Sequence, residues 1–209
     1  MLKTLGLHAG TTLVELLISM AIGFASLTAM ASLVGHGIGL NTQLLAKSRL
    51  DEELNAIVEL LVNDIKRAGY DANTNSIVSD PNTLVSPFLH SVVIANYPTE
   101  ATKSCLLFAY DRNKNGQLDT VNTNENYGYR LKDDAIEIRL NGLGCGINGW
   151  HDLSDPHVVK VTKLKFILHS LQRASVKASR IELIVEAELR NNAAISKRIH
   201  TFFTIKNYG

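Results

Sequence analysis

The chain opens with a stretch that only a few environments can hold. From Leu16 to Gly35 no residue carries a formal charge, and about 20 apolar residues are enough to cross a bilayer as a helix. Ser19, Ser26, Thr28 and Ser32 lie within the run, and small hydroxyl side chains are tolerated there because they bond back to their own helix. One carboxylate, Glu15, stands where the run begins, five residues past Gly10. A charge placed in lipid is costly and needs a reason. Two cut sites compete. Ala29-Met30-Ala31 has the small-x-small form of a signal-peptide site, with Lys3 as the basic end, and a cut there would leave Ser32 first. A cut after Gly10 would keep the apolar run. The run is long for the core of a signal peptide, and no cysteine precedes Cys105 to carry a lipid anchor.

Helical periodicity continues beyond the run. Leu50, Leu54, Ile57, Val58, Leu61 and Ile65 recur at steps of three and four, and Asp51, Glu52, Glu53, Glu59 and Lys66 occupy the other side. Gly69 after Lys66-Arg67-Ala68 reads as a helix stop, with the basic pair suited to the negative helix end. Gly35, Gly37 and Gly39 each weaken a helix by roughly 1 kcal/mol relative to alanine, which marks a hinge or a locally melted turn. The spacing predicts one helix, bent near residues 35–39, reaching Ala68.

From Ser91 onward the pattern changes to short β-rich runs between turn residues. The expected strands are 91–97, 105–110, 127–131, 135–140, 158–169, 180–189 and 198–205. Asp133-Asp134 reads as a tight hairpin turn, and the Asn-, Ser- and Pro-rich stretch from Asp71 to Pro87 as a loop. The fold class is therefore α+β, a long N-terminal helix laid on an antiparallel sheet. Four segments are expected: a leader over 1–10, an apolar helix half over 11–35, an amphipathic half over 36–70 and a β-rich domain over 71–209.

The stretch Gly10-Thr11-Thr12-Leu13-Val14-Glu15 with its apolar continuation resembles the prepilin leader of type IV pilins and of type II secretion pseudopilins. Phenylalanine or methionine usually stands where Thr11 does. The resemblance implies cleavage by prepilin peptidase after Gly10 and N-methylation of Thr11. It also implies a pairing of Glu15 with the terminal amine of a neighbouring subunit, because opposite charges compensate each other in a low-dielectric bundle. Leu61-Val62-Asn63-Asp64-Ile65-Lys66-Arg67-Ala68-Gly69-Tyr70 resembles the helix end of PilW-type minor pilins. Cys105-Leu106-Leu107-Phe108-Ala109-Tyr110-Asp111 and Tyr127-Gly128-Tyr129-Arg130-Leu131 are also similar to that family. This implies a type IV pilin-like fold and a role in pilus initiation or at the tip. The implied partners are the major pilin, other minor pilins, the inner-membrane assembly platform and the lipid bilayer. The implied location is the inner membrane, single-pass with a periplasmic domain, and then the filament. J-type pseudopilins share the N-terminus and plan and stay open as an alternative, as does a secreted calcium-binding module with a cleaved signal peptide.

The formal net charge is +1, which points away from a dedicated nucleic-acid binder. Lys160, Lys163, Lys165, Arg173, Lys177 and Arg180 read as solvated cations on the outer side of strands. Cys105 and Cys145 lie in the part that would be exported, where an even count points to one disulfide. It would close about forty residues and contribute ~3–4 kcal/mol in the chain-entropy model. Asp111, Asn113, Asn115, the Gln117 carbonyl and Asp119 stand at the alternate positions of an EF-hand-like calcium loop, with Gly116 for the turn. The usual terminal glutamate is absent; Asn122 holds its place and Glu125 is the nearest acid. The plainer reading is an Asn-Gly hairpin turn. His151, Asp152, Asp155 and His157 match no metalloprotease spacing, His169 and His200 sit in strand-like runs, and Gly142-Leu143-Gly144-Cys145-Gly146 lacks the lysine of a phosphate loop. No catalytic constellation stands out, so the chain reads as a structural protein rather than an enzyme.

Overall fold

The computed structural model describes residues 12–80, 84–173 and 176–206. Its first element, α1, spans Leu13–Ile65 without interruption. The chain divides into two units after Ala46, and α1 belongs to both. Residues 12–45 of the first unit are all exposed. Gly35, Gly37 and Gly39 lie inside the helix, so the melted turn expected there is not found. A helix holds its glycines when flanking residues supply the hydrogen bonds, and their open surroundings impose no competing contact.

In the second unit α1 behaves as its periodicity requires. Leu50, Leu54, Ile57, Val58, Leu61 and Ile65 are its buried residues. The α-helix ends at Ile65 rather than Ala68, because Arg67 and Ala68 donate to Asp64 and Ile65 three residues back, a tighter turn. Gly69 then adopts φ 77° and gives its N–H to Ala109 of the sheet. The helix stop is thus also a joint between helix and sheet.

A short helix, α2 (Thr74–Ser79), occupies part of the stretch expected to be only loop. None of its residues is buried, which explains why no apolar periodicity announces it. Asp71 holds this region: its carboxylate accepts from Asn73 N–H at 2.8 Å and from the Ser86 hydroxyl at 2.6 Å.

The strands form two antiparallel sheets, not one. The first is a meander of β1 (Val93–Ala95), β2 (Cys105–Ala109), β3 (Asn126–Lys132), β4 (Ala135–Ile138) and β5 (His151–Asp152). The second consists of β6 (Val159–Arg173), β7 (Val176–Leu189) and β8 (Asn192–Ile205). Asp133 and Asp134 both have positive φ, 49° and 67°, and join β3 to β4 as the expected tight hairpin. The two-residue β5 was not anticipated, since so short a run leaves no alternation to read. β6 links the sheets through Phe166 N–H to Lys103 and Val161 N–H to Asp134, each 2.9 Å.

The outer face of the second sheet explains its charged residues. Glu182, Glu186 and Glu188 line the central strand, with cations on both flanking strands. Lys160 pairs with Glu188, and Lys163 and Arg198 with Glu186. His169 and His200 each lie 2.9 Å from Glu182, which holds that carboxyl below its ordinary range. Cross-strand pairing of opposite charges is the sheet's counterpart of helical side-chain pairs. Lys160 and Lys163 are thus strand-face residues, as the sequence indicated.

Candidate functional site

The first candidate is the start of α1. Thr12 immediately precedes the helix, and its hydroxyl accepts from Glu15 N–H at 3.3 Å. Threonine followed three residues later by glutamate is the sequence form of a capping box, a signal that a reading focused on the charge of Glu15 passes over. The reciprocal bond from the Glu15 side chain is not made, and that carboxylate has no partner among the described residues. Glu15 is exposed at the positive end of the helix, where a carboxylate is favoured. Gly10 and Thr11, the expected cleavage and methylation positions, lie outside the described residues. Along the following turns, Ser19 and Ser26 donate to Glu15 and Ile22 four residues back, and Thr28 to Ala25. These hydroxyls are satisfied within the helix, as a bilayer requires. The helix is long and apolar enough to cross a membrane.

A second cluster fixes the other end of α1 on the sheet. The Asp64 carboxylate accepts from Tyr129 at 2.9 Å and from Tyr110 at 3.1 Å. Phe108, Tyr110, Tyr127 and Tyr129 form one aromatic group, with Tyr110 and Tyr127 stacked at 4.4 Å. Burial and the adjacent Asp64 charge push both phenols, Tyr110 and Tyr129, well above the ordinary tyrosine value.

The third cluster lies on the opposite face of the first sheet, around the bond between Cys105 and Cys145. The two Cα atoms are 6.2 Å apart, and the bridge packs with Trp150, Ala95, Leu107 and Leu143. Opposite Cys105 on the neighbouring strand is Arg130, which is fully buried. Its guanidinium pairs with Glu137 and donates to the carbonyls of Cys145 (2.6 Å) and Ile147 (2.8 Å). The rings of Tyr97 and Trp150 hold it at 4.9 and 4.5 Å. Only arginine offers a planar fork with this many donors between two rings. The disulfide and Arg130 together clamp the glycine-rich segment, giving it a structural role. Nothing in the sequence singled out Arg130, because its burial exists only once β3, β4 and residues 145–150 meet.

The loop expected to hold calcium is organised by N–H donors. The Asp111 carboxylate, 1% exposed, accepts from the N–H groups of Ala72, Asn115 and Gly116. One oxygen of Asp119 accepts from the amides of both Asn113 and Asn115. The Asn115 side-chain oxygen accepts from Gln117 N–H at 2.8 Å. Glu125, fully buried, accepts from Arg112, Asn113 and Asp119 N–H groups. A cation that needs roughly six to eight oxygens meets carboxylates turned toward N–H groups. No group of three acidic, histidine or cysteine residues able to hold a metal occurs among the described residues. These contacts lend calcium no support at this loop. It is not an Asn-Gly hairpin, since β2 ends at Ala109 and β3 begins at Asn126. Gly116 has φ +73°, and a Cβ there would lie 1.7 Å from the Asn73 side chain.

A long apolar N-terminal helix, capped beside a lone carboxylate and packed through its second half on antiparallel sheets, defines a pilin-like protein. The family model for prepilin peptidase-dependent protein B matches residues 43–205, and the chain belongs to that family. An uncharacterized protein of Haemophilus influenzae is 23% identical over 161 residues, covering 59% of this chain and 67% of that protein. No solved structure matches the chain. The family match begins beyond the apolar run, so it and the Gly10–Glu15 signature rest on different residues. Together they tie the protein to the pilin-processing and assembly machinery.

Proposed function

We propose that this is a minor pilin of the PilW type, acting in pilus initiation or in a complex at the tip, and structural rather than catalytic. The observation that carries the reading is the continuity of α1 from Leu13 to Ile65. A signal-peptide cut after Ala31 would sever this helix, whereas a cut after Gly10 leaves it whole. The apolar half would then hold the protein in the inner membrane, with the residue 71–209 domain in the periplasm, until extraction into the filament. There Glu15 would meet the methylated amine of a neighbouring subunit, either the major pilin or another minor pilin.

Mass spectrometry of the mature N-terminus is the test. The expected chain begins with N-methylated Thr11; a chain beginning at Ser32 overturns the reading. The J-type pseudopilin alternative is separated by deleting the gene. Loss of surface pili supports the minor pilin, and loss of exoprotein secretion with intact pili supports the pseudopilin.

A further inference from the structure

A cleft of about 460 Å³ opens where the end of α1, the residue 110–114 segment and the end of β8 converge. Five cations line it: Lys66, Arg67, Arg112, Lys114 and Lys206. All five are exposed, and none is in an ion pair among the described residues. The contrast with the second sheet is direct, since Lys160, Lys163, Lys197 and Arg198 each sit within 4 Å of a carboxylate. Lys66 and Arg67 have a local reason to be basic at a helix C-terminus. Arg112, Lys114 and Lys206 come from other elements and have none. The cleft's one acid, Asp111, is buried with its carboxylate committed to three backbone N–H groups. Tyr70 is about one-third exposed, at 36%, on the same rim.

We propose that this cleft binds a nucleic-acid strand, its phosphates on the five cations and an unpaired base on the Tyr70 ring. Arginine forks and lysine ammonium groups are the usual phosphate partners. An aromatic face beside a cationic groove is how single strands are held without sequence preference. An acidic peptide would use the cations but leaves the ring no role, so the ring favours nucleic acid. A near-neutral net charge is compatible with this, because the fold gathers cations outside ion pairs at one place, with Arg67 also donating to the Tyr110 hydroxyl, and neutralises others across strands. The proposal goes beyond filament assembly and does not depend on it.

The test uses the full chain in non-ionic detergent and a fluorescein-labelled oligothymidylate 12-mer, followed by anisotropy between 50 and 200 mM salt, on the order of the range where phosphate contacts are read. Saturable binding that weakens with salt is expected. Each phosphate contact on a single strand contributes about 0.7 to the salt slope, so R112Q/K114Q/K206Q should lower it by about 2. Y70A should weaken binding by about tenfold with little change in slope. These four side chains make no hydrogen bond among the described residues, and an intact disulfide with unchanged circular dichroism confirms the fold. Absent saturable binding, or a triple variant equal to wild type, overturns the proposal. So does equally tight binding of poly-glutamate, which would identify a different class of anion.

Discussion

At the scale of single residues, Glu15 carries two separable roles. Its backbone N–H is capped by Thr12, and its carboxylate is left without a partner among the described residues. Substitution by alanine removes the charge and alters the helix start, whereas glutamine keeps the capping-box residue type. If the intersubunit charge pair governs assembly, E15A and E15Q both stay membrane-inserted and are strongly depleted from sheared filaments. Filament incorporation of E15Q at the wild-type level would remove the Glu15 charge from this role. Arg130 is the second decisive residue. Removing it strands Glu137, 7% exposed, without its cation. R130M should cost about 3–5 kcal/mol, read as a lower chemical-denaturation midpoint. R130K should fall between, because the ammonium keeps the charge but cannot reach Glu137 and two carbonyls at once. A midpoint for R130M within error of wild type would remove Arg130 from this role.

At the scale of elements, the junction of α1 with the first sheet has a pH signature. Tyr110 and Tyr129 are held protonated in the folded protein by burial and by Asp64, above their ordinary value of 10.0. A raised folded pKa contributes stability that is complete below the unfolded pKa and is lost as pH rises beyond it. Stability should therefore decline from about pH 10 upward. Phenolate absorbance from these two tyrosines should appear only together with unfolding; D64N should bring it to lower pH. Phenolate forming in the folded protein near pH 10 would contradict the arrangement. Among the elements, α1's amphipathic half was legible because six apolar positions keep one helical period. The long strands β6 to β8 were legible from β-rich alternation. Helix α2 and strand β5 were not, since one buries nothing and the other has two residues. The residue 111–119 loop has the spacing of a cation site, yet its Asp111 carboxylate serves the N–H groups of Ala72, Asn115 and Gly116. Spacing records which oxygens are available; it does not record which donors reach them first.

At the scale of the whole molecule, the disulfide ties residue 145 to β2 across a separation of 40 residues. C105S/C145S should lose about 4 kcal/mol in the chain-entropy model, and denatured wild-type protein should show no titratable thiol. Because Arg130 donates to the Cys145 carbonyl, the double variant combined with R130M should be less destabilised than the sum of the two. The sequence by itself determined the apolar helix, its carboxylate and its buried stripe. Such features depend on residues within a few turns of one another, where period and spacing act directly. It also determined the cysteine pair as a candidate bridge, through their even number and shared exported context. Only the tertiary structure decided that the strands form two sheets, that Arg130 is the buried keystone beneath the disulfide, and that five exposed cations outside any ion pair among the described residues share a cleft. Each of those joins residues tens of positions apart, and their charges and hydrogen bonds acquire meaning only from the partners that folding brings within reach.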